Sequence, residues 1–208
     1  GMAEAPAAIE HYRWMTFLGP AAKRALYTGS LRAALLDSDV YGPVRECLAS
    51  AGTDDLLNRQ LYADLCIYLA DDILVKVDRM SMATSLETRA PFLDVDVMEL
   101  AFSMPGHLKI RGSERKYVLR QAVRDLIPES VMSRPKEGFS IPMKNWLRGV
   151  LAPLMNDLLS ESRVRQRGWF DPAAVRRMID HHQSGRENHA HTLFSLMVLE
   201  RWLQASVD

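Results

Sequence analysis

Two cations and a turn-forming glycine lie close together in the loop at residues 133–142, and these residue types are suited to binding an anion. The loop reads SRPKEGFSIP, with Arg134 and Lys136 on either side of a proline and Gly138 two residues later. Proline holds Arg134 extended, and glycine lets the backbone come close to a ligand. A lysine ammonium is a compact point charge suited to phosphate oxygens. The alternative is a solvated loop with an ordinary exposed lysine.

Charged residues also lie within a helical apolar pattern at residues 71–94, DDILVKVDRMSMATSLETRAPFLD. Apolar residues recur at helical spacing and others lie off that stripe, so most sides of the predicted helix are apolar. A helix of this kind is normally buried. Asp71 and Asp72 are suited to its N-terminus, and we expect Pro91 to end it.

The charges of this helix have two interpretations, because charges taken out of water must be paired or must meet a charged ligand. The first is a buried ion-pair network. In it Asp72 pairs with Lys76 at i,i+4, and Glu87 pairs with Arg89 or Lys76. The second is a polar pocket wall in which Glu87 and its neighbours contact a substrate. The residues alone leave both interpretations open.

The histidines predict no metal site. His181 and His182 are adjacent, so they point to different sides of a helix, and His189 and His191 begin the next helix. No cysteine or acid stands at metal-ligand spacing around them. We therefore expect these histidines to face solvent or to pack.

Composition limits the classes of partner. The 208 residues hold 26 lysines and arginines and 26 aspartates and glutamates, so the formal net charge is zero. This gives no electrostatic case for a nucleic acid or an anionic membrane surface as partner, and no apolar run approaches the about 20 residues of a membrane span. Cys47 and Cys66 are too few for a disulfide framework, and the cytoplasm is the expected location.

Helical patterns dominate the rest of the chain, so the predicted fold class is mainly α, with one helical domain over residues 1–208. Leucines every four residues predict a buried face on a helix of about 54–69, capped by Thr53 or Asp54. Residues 107–113 suit a short extended piece around Gly112. Asp171-Pro172 is a strong helix start, and the helix is expected to run to about Gln183. Further helices are predicted at about 94–104, 113–126, 146–159 and 188–205.

Several separated motifs, in the right order, resemble the C-terminal part of the synthetase domain of glutamine-dependent asparagine synthetases. They are VKVDRMSMATSLETRAPFLD at 75–94, KYVLRQAV at 116–123, RPKEGFSIPMKNWL at 134–147 and GWFDPAAVRRMIDHHQSGRENHAHTLFSLMVLERWL at 168–203. The resemblance covers roughly the last two-thirds of the chain, and residues 1–53 match only weakly. It implies the helical, bundle-like half of an adenine-nucleotide α-hydrolase-type synthetase domain.

The resemblance also implies a reaction and its cofactors, ATP and Mg²⁺. In the family, the side-chain carboxylate of aspartate attacks the α-phosphate of ATP to give aspartyl-AMP and diphosphate. Ammonia from a separate glutaminase domain then displaces AMP. Cations and Mg²⁺ spread the charge on the departing diphosphate.

Two residues take catalytic roles from the resemblance. Lys136 stands where the family has the loop lysine that faces the diphosphate, so it is the expected catalytic and cofactor-binding residue. Glu87 matches a glutamate that orients a catalytic tyrosine in the related β-lactam-forming branch. Asp78, Arg79 and Arg89 match motif positions whose expected part is structural.

The sequence does not contain other parts of the family's active site. Nothing in it matches the Ser-Gly-Gly-x-Asp-Ser diphosphate loop, which belongs to a parallel-sheet nucleotide fold, or the later Gly-Ala-Asp-Glu segment. The N-terminal cysteine nucleophile of the glutaminase is absent too. We therefore expect this chain alone to be inactive and not to bind ATP or Mg²⁺. Its expected partners are a nucleotide-binding half and a glutaminase domain, in the same or another chain, with self-association a further expectation.

Two alternatives remain open at this point. A truncated paralogue would bind a partner or scaffold an assembly without catalysis, using apolar surface as an interface. An amide ligase with another acceptor would form a β-lactam, modify a peptide or amidate a sugar, since the same architecture serves these reactions.

Overall fold

Helices make up most of the computed structural model, which describes residues 7–13, 16–135, 138 and 141–207. In chain order the elements are α1 (Ala7–Arg13), α2 (Pro20–Leu26), α3 (Gly29–Ala34), α4 (Gly42–Ser50), α5 (Leu56–Ala63), a π-helix (Asp64–Leu74), α6 (Val75–Met82), a 3-10 turn (Pro91–Leu93), α7 (Val95–Ser103), α8 (Gly106–Lys109), β1 (Ile110–Arg111), β2 (Glu114–Arg115), α9 (Tyr117–Ala122), α10 (Glu129–Met132), α11 (Met143–Arg148), α12 (Ala152–Leu158), α13 (Glu161–Arg167), α14 (Pro172–Gln183) and α15 (Ala190–Ser206). The mainly α prediction is confirmed, because the only sheet among the described residues is the antiparallel pair β1–β2.

The chain divides into two compact units. Unit 1 comprises Gly1–Tyr12 and Val40–Glu137, and unit 2 comprises Arg13–Asp39 and Gly138–Asp208. A single domain over residues 1–208 stays a prediction, and whether the two units unfold together is its test. None of the described helices is long and apolar enough to cross a membrane.

Unit 1 is built around a continuous helical run from Leu56 to Met82 that passes through α5, the π-helix and α6. The predicted leucine face is half-buried along its length, at residues 57, 61, 65 and 69. The cap is neither of the two residues predicted. It is Asp55, whose carboxylate accepts the backbone N–H of Asn58 at 3.0 Å.

This run ends at Met82, so the prediction that Pro91 would end it is wrong. Ser85 adopts the left-handed conformation with φ of 58°. The backbone N–H of Leu86 donates to the Ser81 carbonyl at 2.9 Å, and that of Ser85 donates to the Met82 carbonyl at 3.0 Å. These two bonds form a Schellman ending, which satisfies the last helical carbonyls nine residues before the proline.

The extended piece predicted around Gly112 is confirmed as a small hairpin in unit 1. Ile110 pairs with Arg115 and Arg111 with Glu114. Gly112 has a φ of 61°, a value that glycine adopts without steric cost.

Unit 2 has its own apolar core, contributed by α2 and by α11 to α15. Its buried members are Leu26, Met143, Leu147, Met155, Leu158, Leu159, Val164, Ala174, Val175, Ile179, Ala190, Leu193, Leu196 and Met197. The predicted start of α14 is confirmed, because Asp171 accepts the backbone N–H of Ala174 at 2.8 Å and Pro172 is the first helical residue. The single helix predicted over 146–159 is instead two helices, α11 and α12, separated at Gly149.

Candidate functional site

The loop that carries the main catalytic prediction is only partly described by the structure. Lys136, the expected catalytic and cofactor-binding residue, lies outside the described residues. Its neighbours Arg134 and Gly138 are described, and both are exposed. The role of Lys136 therefore stays a prediction.

Glu87, the second predicted catalytic residue, lies in the exposed segment after the Schellman ending of α6. Its carboxylate forms an ion pair with the Arg89 guanidinium. The two side chains are 70% and 83% exposed, respectively. The predicted contact between Glu87 and Arg89 is thus present, but the pair lies at the surface of this chain rather than in a buried network.

The other predicted ion pair, between Asp72 and Lys76, is not among the contacts of the described residues. Asp72 lies in the π-helix and Lys76 in α6. A π-helix bonds i to i+5, so side chains four residues apart no longer stand directly above one another as they do on an α-helix. The wider winding therefore removes the geometry on which the predicted pair depended.

The expectation that the charged helix is buried is wrong within this chain. Lys76, Asp78 and Arg79 are exposed. So are ten large apolar residues between positions 74 and 100, whereas Leu93 and Met98 are half-buried. The ten are Leu74, Val75, Val77, Met80, Met82, Leu86, Phe92, Val95, Val97 and Leu100. We call this stretch the exposed apolar segment 74–100. A helical apolar pattern indicates that a helix is covered, but it does not say that the covering residues belong to the same chain.

A polar cluster that the sequence did not predict joins the start of α5 to α8 in unit 1. Asp55 accepts the backbone N–H of Gly106 at 2.7 Å in addition to its cap bond. A Cβ on Gly106 would lie 2.9 Å from an Asp55 carboxylate oxygen, so only glycine fits there without displacement. These backbone donors lower the pKa of the Asp55 carboxyl.

The buried side chain of Asn58 extends this cluster. Its amide donates to the Met104 carbonyl at 3.0 Å, and its oxygen accepts a hydrogen bond from the Lys109 ammonium. The ammonium lies 4.9 Å from the centre of the Phe102 ring, at a distance where a cation is attracted to the ring face. Burial lowers the pKa of Lys109. The capping position before the leucine repeat was the one sequence signal that could have located this cluster.

In unit 2, His182 is fully buried at the end of α14 and makes hydrogen bonds with both ring nitrogens. Its Nε2 donates to the Lys144 carbonyl at 3.2 Å, and its Nδ1 accepts the backbone N–H of His189 at 3.2 Å. Burial lowers its pKa, in keeping with a neutral ring that donates at one nitrogen and accepts at the other. The packing role predicted for this histidine is confirmed.

His181, next to it, faces a second cluster that the sequence analysis missed. The ligand atoms of His181, Glu187 and His189 lie within 4.8 Å of one another. The statement that no acid stands at metal-ligand spacing around these histidines is therefore wrong. Glu187 belongs to the turn between α14 and α15, and this turn brings its carboxylate between the two rings.

Arg167 on α13 and Glu200 on α15 form a largely buried ion pair in unit 2. Arg167 donates from Nε and Nη2 to the two carboxylate oxygens of Glu200, at 2.9 and 3.1 Å. Gln204 donates a third bond to Glu200 at 2.9 Å. The hydrogen bonds from Arg167 lower the pKa of Glu200 and outweigh the effect of burial.

Comparison with known proteins identifies the family of the chain. The family model described as asparagine synthase matches residues 4–204. The chain belongs to the asparagine synthase family. The match includes residues 4–53, where the motifs by themselves resemble the family only weakly.

The relatives that this chain matches are much longer than the chain itself. A protein of Mycobacterium tuberculosis named for glutamine-hydrolysing asparagine synthetase is 39% identical over 166 residues, which is 79% of this chain and 25% of that protein. Asparagine synthetase 1 of Bacillus subtilis is 29% identical over 152 residues, 73% of this chain and 24% of that protein. The amidase chry2 of Gibberella zeae is 28% identical over 109 residues, 50% of this chain and 16% of that protein. The chain thus spans about a quarter of the two synthetases. No solved structure matches it.

The residues described here do not fit Mg²⁺ and ATP by themselves. Mg²⁺ takes oxygen ligands in octahedral geometry. The one convergent group of three or more potential metal ligands in the described part of the chain contains two imidazoles and one carboxylate. The sequence also lacks the family's diphosphate loop.

Proposed function

We propose that this chain is the C-terminal part of the synthetase domain of an ATP-dependent amide ligase that makes asparagine. The complete ligase would activate the side-chain carboxylate of aspartate as aspartyl-AMP, release diphosphate, and let ammonia displace AMP. A nucleotide-binding half would hold ATP and Mg²⁺, and a glutaminase domain would supply ammonia. Membership of the asparagine synthase family supports the reaction class.

The observation that carries the proposal is the exposed apolar segment 74–100. Ten of its large apolar side chains, among them Met80, Phe92 and Val95, are exposed. Exposed apolar surface on this scale is typical of a face that packs against another protein surface. The chain spans about a quarter of its synthetase relatives. We therefore propose that the nucleotide-binding half of the same synthetase domain covers this segment.

Charged groups lie in the same segment and would reach the interface with that half. Glu87 and Arg89 form an ion pair at the surface, five and seven residues beyond the end of α6 at Met82. When the other half covers the segment, this pair would become part of a cleft wall, where Glu87 would position a neighbouring group. Lys136 would place its ammonium against the departing diphosphate, the charge that such a ligase must stabilise.

The test is aspartate-dependent exchange of pyrophosphate into ATP by the ligase reconstituted from this chain and the nucleotide-binding half. Lys136→Ala is expected to lower the exchange rate about 100-fold or more, because one preorganised charge-stabilising donor is worth about that much. Lys144→Ala is the matched control, since Lys144 is an exposed lysine of α11 for which no side-chain contact is found. Equal rates for Lys136→Ala and Lys144→Ala would remove the catalytic assignment.

The 208-residue chain without its partner gives the second readout. We expect no exchange from it, and no heat of ATP binding at the concentrations where the reconstituted ligase is saturated. Exchange by the isolated chain would contradict the proposal that the ATP site lies mainly in the other half. Association with the nucleotide-binding half without any exchange would favour the non-catalytic, partner-binding alternative.

The acceptor is a separate question, and one comparison bears on it. A protein named as an amidase, chry2, is similar to this chain over half of its length. Product analysis of the reconstituted ligase separates the cases. Asparagine formation from aspartate and ammonia supports the proposal, whereas adenylation of another carboxylate would move the chain to an amide ligase with a different acceptor.

A further inference from the structure

The turn between α14 and α15 brings together three side chains that the proposed reaction does not use. His181 contributes Nδ1, His189 contributes Nε2, and Glu187 contributes both carboxylate oxygens. We propose that these three residues form a binding site for one transition-metal ion of the zinc class, Zn²⁺, Co²⁺ or Ni²⁺. The site belongs to unit 2 and does not depend on the proposed ligase function.

The spacing of the donor atoms suits such an ion. Glu187 lies 3.4 Å from His181 Nδ1 through one oxygen and 2.9 Å from His189 Nε2 through the other. Two ligands bound at about 2.0–2.1 Å to a tetrahedral zinc ion lie about 3.3 Å apart. The two glutamate–histidine distances are each within about half an ångström of that value, and all three ligand atoms lie within 4.8 Å of one another.

The backbone of this turn is already held in place, which lowers the cost of binding. His182 lies next to His181 at the end of α14, and its Nδ1 accepts the backbone N–H of His189. Arg148 donates to the His182 carbonyl at 2.6 Å, and the backbone N–H of Glu187 donates to the His181 carbonyl at 3.1 Å. All three ligands are thus anchored through main-chain contacts, and a preorganised ligand set loses little entropy when it binds.

The site has one feature that opposes binding. The Arg186 guanidinium lies 3.2 Å from His181 Nε2. Because a guanidinium only donates, His181 accepts at Nε2 and carries its proton on Nδ1, toward Glu187. A metal at Nδ1 needs the other tautomer, with the proton moved to Nε2, so Arg186 must turn away when the ion binds. Arg186 is exposed and free to rotate into solvent.

The donor types decide the class of ion. Imidazole and carboxylate suit zinc, cobalt and nickel, whereas Mg²⁺ and Ca²⁺ prefer oxygen ligands alone. Three protein ligands leave one tetrahedral position for water. The exposed Glu187 gives solvent access to that position.

Titration of the metal-free 208-residue chain with Co²⁺ tests the site, because tetrahedral cobalt has visible absorption bands. We expect saturation at one ion per chain, no competition by Mg²⁺, and displacement by Zn²⁺. Glu187→Gln and His189→Gln should each weaken binding more than about 10-fold, since even changes to the supporting residues of metal sites cost 10–100-fold. Arg186→Ala should tighten it, because the competing hydrogen bond is gone.

His191→Gln is the matched control. His191 is an exposed histidine of α15. Its ring stacks on that of Phe17, with the ring centres 4.3 Å apart, and it is not part of the ligand cluster. Thermal unfolding of each metal-free variant verifies that it folds. Equal cobalt affinity in Glu187→Gln, His189→Gln and His191→Gln would overturn the assignment. Thiolate-to-cobalt absorption would place the ion on Cys47 or Cys66 and would overturn it as well, as would weaker binding in Arg186→Ala.

Discussion

The two units are both helical, but they place their apolar side chains differently. Of the buried hydrophobic residues that the structure describes, fifteen belong to unit 2 and four to unit 1, which are Tyr12, Val44, Leu48 and Ala63. Unit 1 nevertheless contains the exposed apolar segment 74–100. Unit 2 therefore buries a core of its own, whereas much of the apolar surface of unit 1 is left for something else to cover.

This difference shows that contacts within the chain account for the apolar pattern of the unit 2 core but not for that of the exposed apolar segment 74–100. In unit 2 the apolar residues of α11 to α15 form most of a buried core, although Phe194, Val198 and Trp202 on α15 are exposed. In unit 1 the pattern of residues 71–94 predicts burial, and the chain does not supply the covering surface. Under the proposed function, the nucleotide-binding half of the synthetase domain would supply that surface.

Truncation of one apolar side chain in each unit is expected to give the largest contrast. Leu147→Ala should lower the free energy of unfolding by about 2–5 kcal/mol, because Leu147 is fully buried in the unit 2 core and the change leaves a cavity. Met80→Ala should change it by less than about 0.5 kcal/mol, because Met80 is 64% exposed.

Tryptophan fluorescence during urea unfolding measures the first of these changes without interference. The tryptophans among the described residues, Trp146, Trp169 and Trp202, belong to unit 2. Circular dichroism follows both units, so coincident transitions would support the single-domain prediction. A loss in Met80→Ala as large as that in Leu147→Ala would break the comparison, since it would mean that segment 74–100 is already covered in this chain.

The buried ion pair of unit 2 gives the next effect. Arg167→Leu should cost about 3 kcal/mol at pH 7, because it leaves the Glu200 carboxylate buried without its cation. Since the folded-state pKa of Glu200 is lowered, its contribution is present above the unfolded pKa and is lost as pH falls through the folded value. The difference between wild type and variant should therefore shrink on acidification.

Arg165→Leu is the control for this pair, because Arg165 makes an exposed i,i+4 ion pair with Glu161 on the same helix. Such a pair is worth less than about 0.5 kcal/mol. Urea unfolding at a series of pH values separates the two variants. A pH-independent loss in Arg167→Leu would show that the arginine acts through its packing rather than through its charge.

Much of the fold could be predicted from local signals in the sequence. The Asp171-Pro172 pair, the turn at Gly112 and the periodic leucines each depend on a few neighbouring residues, and each predicted feature is present, although the leucine face is only half-buried. The family could be recognised because its motifs stand in order along the chain. These predictions succeed because capping, turn formation and helical periodicity are set within a few residues.

The predictions that failed depend on geometry that local signals do not contain. The Schellman ending moves the end of α6 away from Pro91, and the π-helix separates Asp72 from Lys76. Glu187 lies close to His181 and His189 only because the turn between α14 and α15 reverses the direction of the chain. Spacing along a single helix therefore could not identify it. The burial expected for residues 71–94 is not provided by contacts among the described residues.

The smallest expected effect concerns the polar contact that joins α5 to α8 in unit 1. Asp55→Ala should cost about 1–2 kcal/mol, because the carboxylate caps α5 and also holds the Gly106 N–H. Asp54→Ala, a change at one of the two caps expected from the sequence, should cost less than about 0.5 kcal/mol, because Asp54 is exposed. Since backbone donors lower the folded-state pKa of Asp55, its contribution is present above the unfolded pKa and is lost as pH falls through the folded one. Amide hydrogen exchange at the start of α5 measures the loss in unit 1 directly, and equal exchange in the two variants would show that the junction of α5 with α8 is held by apolar contacts rather than by this carboxylate.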